Sequence, residues 1–185
     1  MRISKTALWS RWAWSTCLGI GVWAVLAGLD LRLKAVSGVS TTDLQGFSSA
    51  AQYQAAFWAW SAQVFSLRAG FNLGFDYLFM PLYAASFFLS GIIVLDHFAP
   101  RPGRLRRLLV LAAMAPLAGA LCDAAENALQ LFMMLNGPSD TLARIAFAVS
   151  NAKTVALTIG GVLLLGALFV RFGPRKGPPE PSVIL

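Results

Sequence analysis

Four windows of this chain are long, apolar and nearly free of charge, and few folds are open to a sequence of that kind. They run over about 12–29, 70–95, 108–135 and 143–170. A helix needs about 20 mostly apolar residues to cross a hydrocarbon layer of about 30 Å. Lipid offers no partner to backbone N–H and C=O groups, so a spanning segment closes its own hydrogen bonds as a helix. The windows are too long and too uniformly apolar for strands or soluble core helices. Composition agrees, since 57% of the 185 residues are hydrophobic and 12% charged, against about 25% charged in soluble domains. A net charge of +7 would suit nucleic acid only on a soluble face, which this hydropathy hardly leaves. The expected fold is an all-α membrane protein with four transmembrane helices and no nucleic-acid partner. One domain should cover 1–173, and the Pro-rich segment 174–185 should be a disordered cytoplasmic tail.

The cations give the orientation. Arg2, Lys5 and Arg11 precede the first window, Arg101, Arg104, Arg106 and Arg107 fill the second link, and Arg171, Arg175 and Lys176 follow the fourth window. Arg32, Lys34, Arg68 and Arg144 fall on the other side. Cations are retained in the cytoplasm, so both termini and the arginine-rich link are expected there. The N-terminus imitates a secretory signal, but its apolar run is long and carries Trp12, Trp14 and Trp23, which reads as an uncleaved span. Cys17 and Cys122 sit in different spans and imply neither a disulfide nor a metal site.

Residues 30–69 form the one substantial external segment. Within it Tyr53, Phe57, Trp60, Val64 and Leu67 recur at steps of four and three, while Gln52, Gln63 and Ser66 fall largely elsewhere. The pattern predicts an amphipathic helix lying in the outer interface, with Trp58 and Trp60 at headgroup level. On the fourth span Ala148, Ala152, Ala156 and Gly160 form a stripe suited to close packing.

Ionisable groups inside a span cost several kcal/mol each, which makes them the most informative residues here. The second window carries Asn72, Asp76, Tyr83, Ser86 and Ser90 as one stripe. The third carries Asp123, Glu126, Asn127 and Gln130 within an arc of about 100°. In the fourth lie Asn151, Lys153, Thr154 and Thr158; Asn151 and Lys153 are about 200° apart, so both cannot face the third helix. Measured from the outer ends at about 1.5 Å per residue, Asp76 lies roughly 9 Å deep, Glu126 and Lys153 about 14 Å, and Asp123 about 18 Å. A shared cluster is expected, with Glu126–Lys153 as its central pair. Three carboxylates against one lysine leave an excess of negative charge that a shared proton, a bound cation or an open polar cavity would resolve.

Sharper chemistries find less support. His97 is the only histidine, which excludes a Ser-His-Asp triad and a multi-histidine metal site. Ser150 and Lys153 lack an activating partner for a Ser-Lys dyad. Asp123 lacks the Gly-x-Gly-Asp element of intramembrane aspartyl proteases, and no phosphate loop, dinucleotide fingerprint or haem motif occurs. An acid/base pair of Asp123 and Glu126 on one helical face is the remaining catalytic candidate. No cofactor or metal is expected.

The segments Phe75-Asp76-Tyr77-Leu78-Phe79, Asp123-Ala124-Ala125-Glu126-Asn127 and the late Lys153 together resemble a family of small bacterial four-helix membrane proteins with D-Y-L-F-type, D-x-x-E-N and late-lysine motifs. The resemblance extends over nearly the whole chain. It implies the fold, the polar cluster and a bacterial plasma (inner) membrane location, and no activity. Similarity to sterol isomerase-like proteins rests on architecture alone.

Taken together, the residues predict an outward-facing polar pocket that binds a lipid or small amphipathic molecule. Asp76, Tyr83, Asp123, Glu126, Asn127 and Lys153 are the expected ligand-binding residues. A membrane enzyme using Asp123 or Glu126 as acid/base is the second reading. The third is an accessory subunit packed on a membrane-protein partner.

Overall fold

The computed structural model describes residues 4–61, 65–99 and 102–173. Its five helices are α1 (Lys5–Ser37), α2 (Ala50–Ser61), α3 (Phe65–Phe98), α4 (Arg104–Asn136) and α5 (Asp140–Phe172), with a 3-10 turn at Thr42–Gly46. The predicted tail, together with Val64, Gln63, Arg2 and Arg101, lies outside the described residues.

Four of the helices are long and apolar enough to cross a membrane. With 33 or 34 residues each, they are about 50 Å long and outrun the apolar windows at both ends. Helical hydrogen bonding does not stop where hydropathy does. α1 continues through Arg32 and Lys34 until Gly38, at φ 79°, closes it by donating its N–H to Lys34 O. The connection between α1 and α3 is correspondingly shorter than 30–69. Ser4 and Ser139 cap α1 and α5, their hydroxyls accepting from the N–H groups of Ala7 and Leu142.

The paired residues show how the long helices run. On α1 and α3, Trp12 meets Ser90, Thr16 meets Ser86, and Asp30 meets Asn72. Numbers rise on one helix as they fall on the other, so the two are antiparallel. α4 lies against α3, and α5 packs on both α3 and α4. One end of the bundle gathers the start of α1, the end of α3, the start of α4 and the end of α5. There Arg106 donates to Ala99 O at 2.9 Å, satisfying a carbonyl beyond α3, and the Arg171 guanidinium lies over the Trp9 ring.

At the opposite end, α2 and the 3-10 turn dock on the bundle. Leu44, Tyr53 and Trp60 are fully buried there, together with Leu33, Ala69, Met133 and Ala143. Tyr53 and Trp60 face inward as the periodicity predicts, and Phe57 is half-buried. Trp60 is enclosed by the protein, its indole N–H donating to Val39 O at 3.0 Å. Leu67 departs from the predicted face as well. It belongs to α3, a separate helix, and is exposed.

Close helix contact is made through glycine. A side chain on Gly91 would strike Ala113, and one on Gly160 would strike Phe87 and crowd Pro116. The alanine stripe expected on α5 is only half right. Ala156 and Gly160 are buried, whereas Ala148 and Ala152 are exposed, because steps of four drift by about 40° each on a helix of 3.6 residues per turn.

Candidate functional site

The buried polar residues collect toward the end of the bundle remote from the chain termini. Lys153, on the inward face of α5, donates to Asp123 Oδ1 at 3.0 Å and lies 2.6 Å from Glu126 Oε2. All three residues are at most 5% exposed. The expected Glu126–Lys153 pair therefore exists, but the lysine bridges two carboxylates rather than one. The two acids are three residues apart on α4 and present a common face to it. Glu126 Oε2 meets the ammonium as a close ion pair. Its other oxygen accepts from Gln130 Nε2 at 2.9 Å. Tyr83 donates its hydroxyl to Asp123 Oδ2 at 2.9 Å, which leaves both Asp123 oxygens occupied. Asn151, pointing away, donates to Phe147 O on its own helix.

Asp76 and Asn127 form a second unit. The Asn127 amide donates to Asp76 Oδ2 at 2.8 Å and to Leu73 O at 3.3 Å, joining α3 to α4. Beside it, in the D-Y-L-F segment, the Tyr77 hydroxyl reaches Ala124 O at 2.8 Å. The lower part of the α3 stripe serves a different purpose. Ser86 and Ser90 bond Thr16 and Trp12 and hold α1 to α3.

Sequence reasoning missed Asp30. Near the C-terminal end of α1, its Oδ1 accepts from Thr41 N at 2.7 Å, from Thr41 Oγ1 at 2.6 Å and from Asn72 Nδ2 at 3.2 Å. Four residues on, Lys34 donates to Asp43 at 2.8 Å, while Asp43 and Ser40 exchange reciprocal bonds that shape the turn. Burial pushes the Asp43 carboxyl up, but Lys34 and the Ser40 donors outweigh it and hold the group below its ordinary value.

These units surround a cavity of about 920 Å³, at the upper end of the range for small-molecule sites. Its polar lining includes Asp30, Asn72, Asp76, Asp123, Asn127 and Lys153. Its apolar lining includes Trp23, Leu26 and Leu31 of α1, Leu73 and Phe79 of α3, and Leu157 of α5. Of the predicted site residues, Asp76, Asp123, Asn127 and Lys153 line this space. Tyr83 and Glu126 stand behind them, and each holds Asp123 or Lys153 in place.

Both α1 and α5 contribute lining residues that are exposed: Trp23 at 57% and Leu31 at 70% on α1, and Thr154 and Thr158 on α5. Trp23 and Thr158 both fall inside the apolar windows of the sequence. Comparison of the chain with protein-family models, curated proteins and solved structures finds no match.

Proposed function

We propose that this chain is a multi-pass membrane protein that takes an amphipathic molecule from the bilayer into the cavity between α1 and α5. The single observation that carries the reading is the shape of that cavity. Its lining combines carboxylates and a lysine with large apolar side chains, and two helices long enough to span, α1 and α5, contribute exposed residues to it. A polar headgroup would meet Asp30, Asn72, Asp76 and Lys153, while a hydrocarbon chain would lie along Leu26, Leu31 and Leu157. A lipid is the class of molecule that presents both surfaces at that depth.

Orientation in this reading follows the charges. Among the described residues, Lys5, Arg11, Arg104, Arg106, Arg107 and Arg171 share the end that holds the termini, and Arg32, Lys34, Arg68 and Arg144 lie at the other. The termini are then cytoplasmic, the cavity faces outward, and α2 lies in the outer interface with exposed Trp58 near the headgroups. A bacterial plasma membrane suits this arrangement. The acid/base role is less well supported, because Asp123 has both oxygens occupied and Glu126 does not line the cavity.

Native mass spectrometry of protein extracted in mild detergent tests the reading, with Ala27→Trp to fill the cavity. Wild type should retain an adduct of amphiphile mass that the variant loses. A bare chain in both, or a stoichiometric protein partner without a small adduct, would contradict it.

A further inference from the structure

The negative charge on the cavity wall specifies a headgroup, an inference that rests on the amphiphile reading. Four carboxylates line the space, Asp30, Asp43, Asp76 and Asp123, against two ammonium groups, Lys34 and Lys153. Both lysines are already committed. Lys34 is paired with Asp43, and Lys153 with Asp123 and Glu126. Among the described residues no cation approaches Asp30 or Asp76 within ion-pair distance.

The unfilled hydrogen-bonding positions are acceptors too. Among the described residues Asp76 Oδ1 receives no hydrogen bond, its partner oxygen being the one Asn127 holds. Asp30 Oδ2 receives only the long 3.4 Å contact from Thr42 N. Asn72, a lining residue 5% exposed, donates through Nδ2 to Asp30 and Thr41 and leaves its buried Oδ1 without any partner. Asn72 stands one helical turn from Asp76, which puts their side chains on the same face of α3, and it touches Asp30 directly. Asn72 Oδ1 is itself enclosed by protein, so the acceptors left for a ligand are the carboxylate oxygens Asp76 Oδ1 and Asp30 Oδ2, on residues that neighbour Asn72. A primary ammonium carries three donors and a positive charge. A hydroxyl would bring one donor and no charge, and an anionic headgroup would meet an excess of carboxylate.

We propose that the ligand is a long-chain ammonium compound whose nitrogen is held by Asp76 and Asp30, with its hydrocarbon chain lying along Leu26, Leu31 and Leu157.

The test compares dodecylammonium, dodecanol and dodecanoate binding to the full chain in a neutral detergent. Dodecylammonium should bind about tenfold more tightly than dodecanol, the scale of one charge-assisted hydrogen bond, and dodecanoate most weakly. Asp76→Asn should remove that preference, and Asp76→Glu should keep it. Should Asp76→Asn fail to fold, the headgroup series on wild type and Asp76→Glu still decides. Displacement of bound dodecylammonium by phosphatidylethanolamine would assign the ammonium to a membrane lipid, and failure to displace it to a free amine; both results carry the proposal. Dodecanol or dodecanoate binding as tightly as dodecylammonium would overturn it, as would Asp76→Asn with unchanged ammonium affinity. No binding by any of the three would overturn the amphiphile reading as well.

Discussion

Lys153 is the residue on which the interior depends. One ammonium serves two buried carboxylates, Asp123 at 3.0 Å and Glu126 at 2.6 Å. Removing it leaves both acids without a countercharge, whereas Glu126→Gln removes one acid and keeps the Asp123 pair. Lys153→Met should therefore cost about 3–5 kcal/mol and Glu126→Gln markedly less, read as unfolding midpoints in detergent; equal midpoints for both variants would contradict this. Much of this cluster was legible in the sequence, because an ionisable group in an apolar window has few places to go and the residue-depth ruler set Glu126 beside Lys153. Asp30 was not legible. It stands just beyond the first apolar window, where an acid reads as ordinary loop chemistry, and its partners Thr41 and Asn72 lie 11 and 42 positions away. Only the fold of the connecting turn and the antiparallel pairing of α1 with α3 bring them together.

At the scale of elements, α2 shows what periodicity can and cannot supply. Its inward face was predictable from Tyr53, Phe57 and Trp60, but its burial under the 3-10 turn was not. That burial rests on hydrogen bonds to main-chain carbonyls, from Tyr53 to Leu44 O and from Trp60 to Val39 O, which no side-chain pattern encodes. Burial, reinforced by the negative charge of Glu126, pushes the Tyr53 phenol up from 10.0 to about 12. The folded value exceeds the unfolded one, so this contribution is complete below about pH 10 and is lost as pH rises through the folded value. Docking of α2 should thus weaken between about pH 10 and 12, and less so in Tyr53→Phe, followed by hydrogen exchange of the α2 amides. Identical pH profiles for wild type and Tyr53→Phe would contradict the assignment. The α5 stripe failed for a geometric reason, since a spacing of four residues follows a helix for only about two turns before rotating off the buried face.

Across the whole molecule, the four-helix architecture was the most legible feature, because lipid imposes length and apolarity on every spanning segment. The cavity was the least legible, since its lining comes from α1, the turn after it, α3, α4 and α5, elements far apart in sequence. Reporter fusions at the two termini should both lie in the cytoplasm; opposite locations would contradict the charge-based orientation. The central claim, that the cavity holds a selected amphiphile, is tested most directly by photo-crosslinking in intact membranes. A photoreactive side chain is placed at Leu157, which lines the cavity, or at Val155, which is 63% exposed on the same helix. The account predicts one discrete amphiphile adduct from position 157, abolished by Ala27→Trp, and a spread of bulk lipid adducts from position 155. The same adduct spectrum from both positions would contradict it.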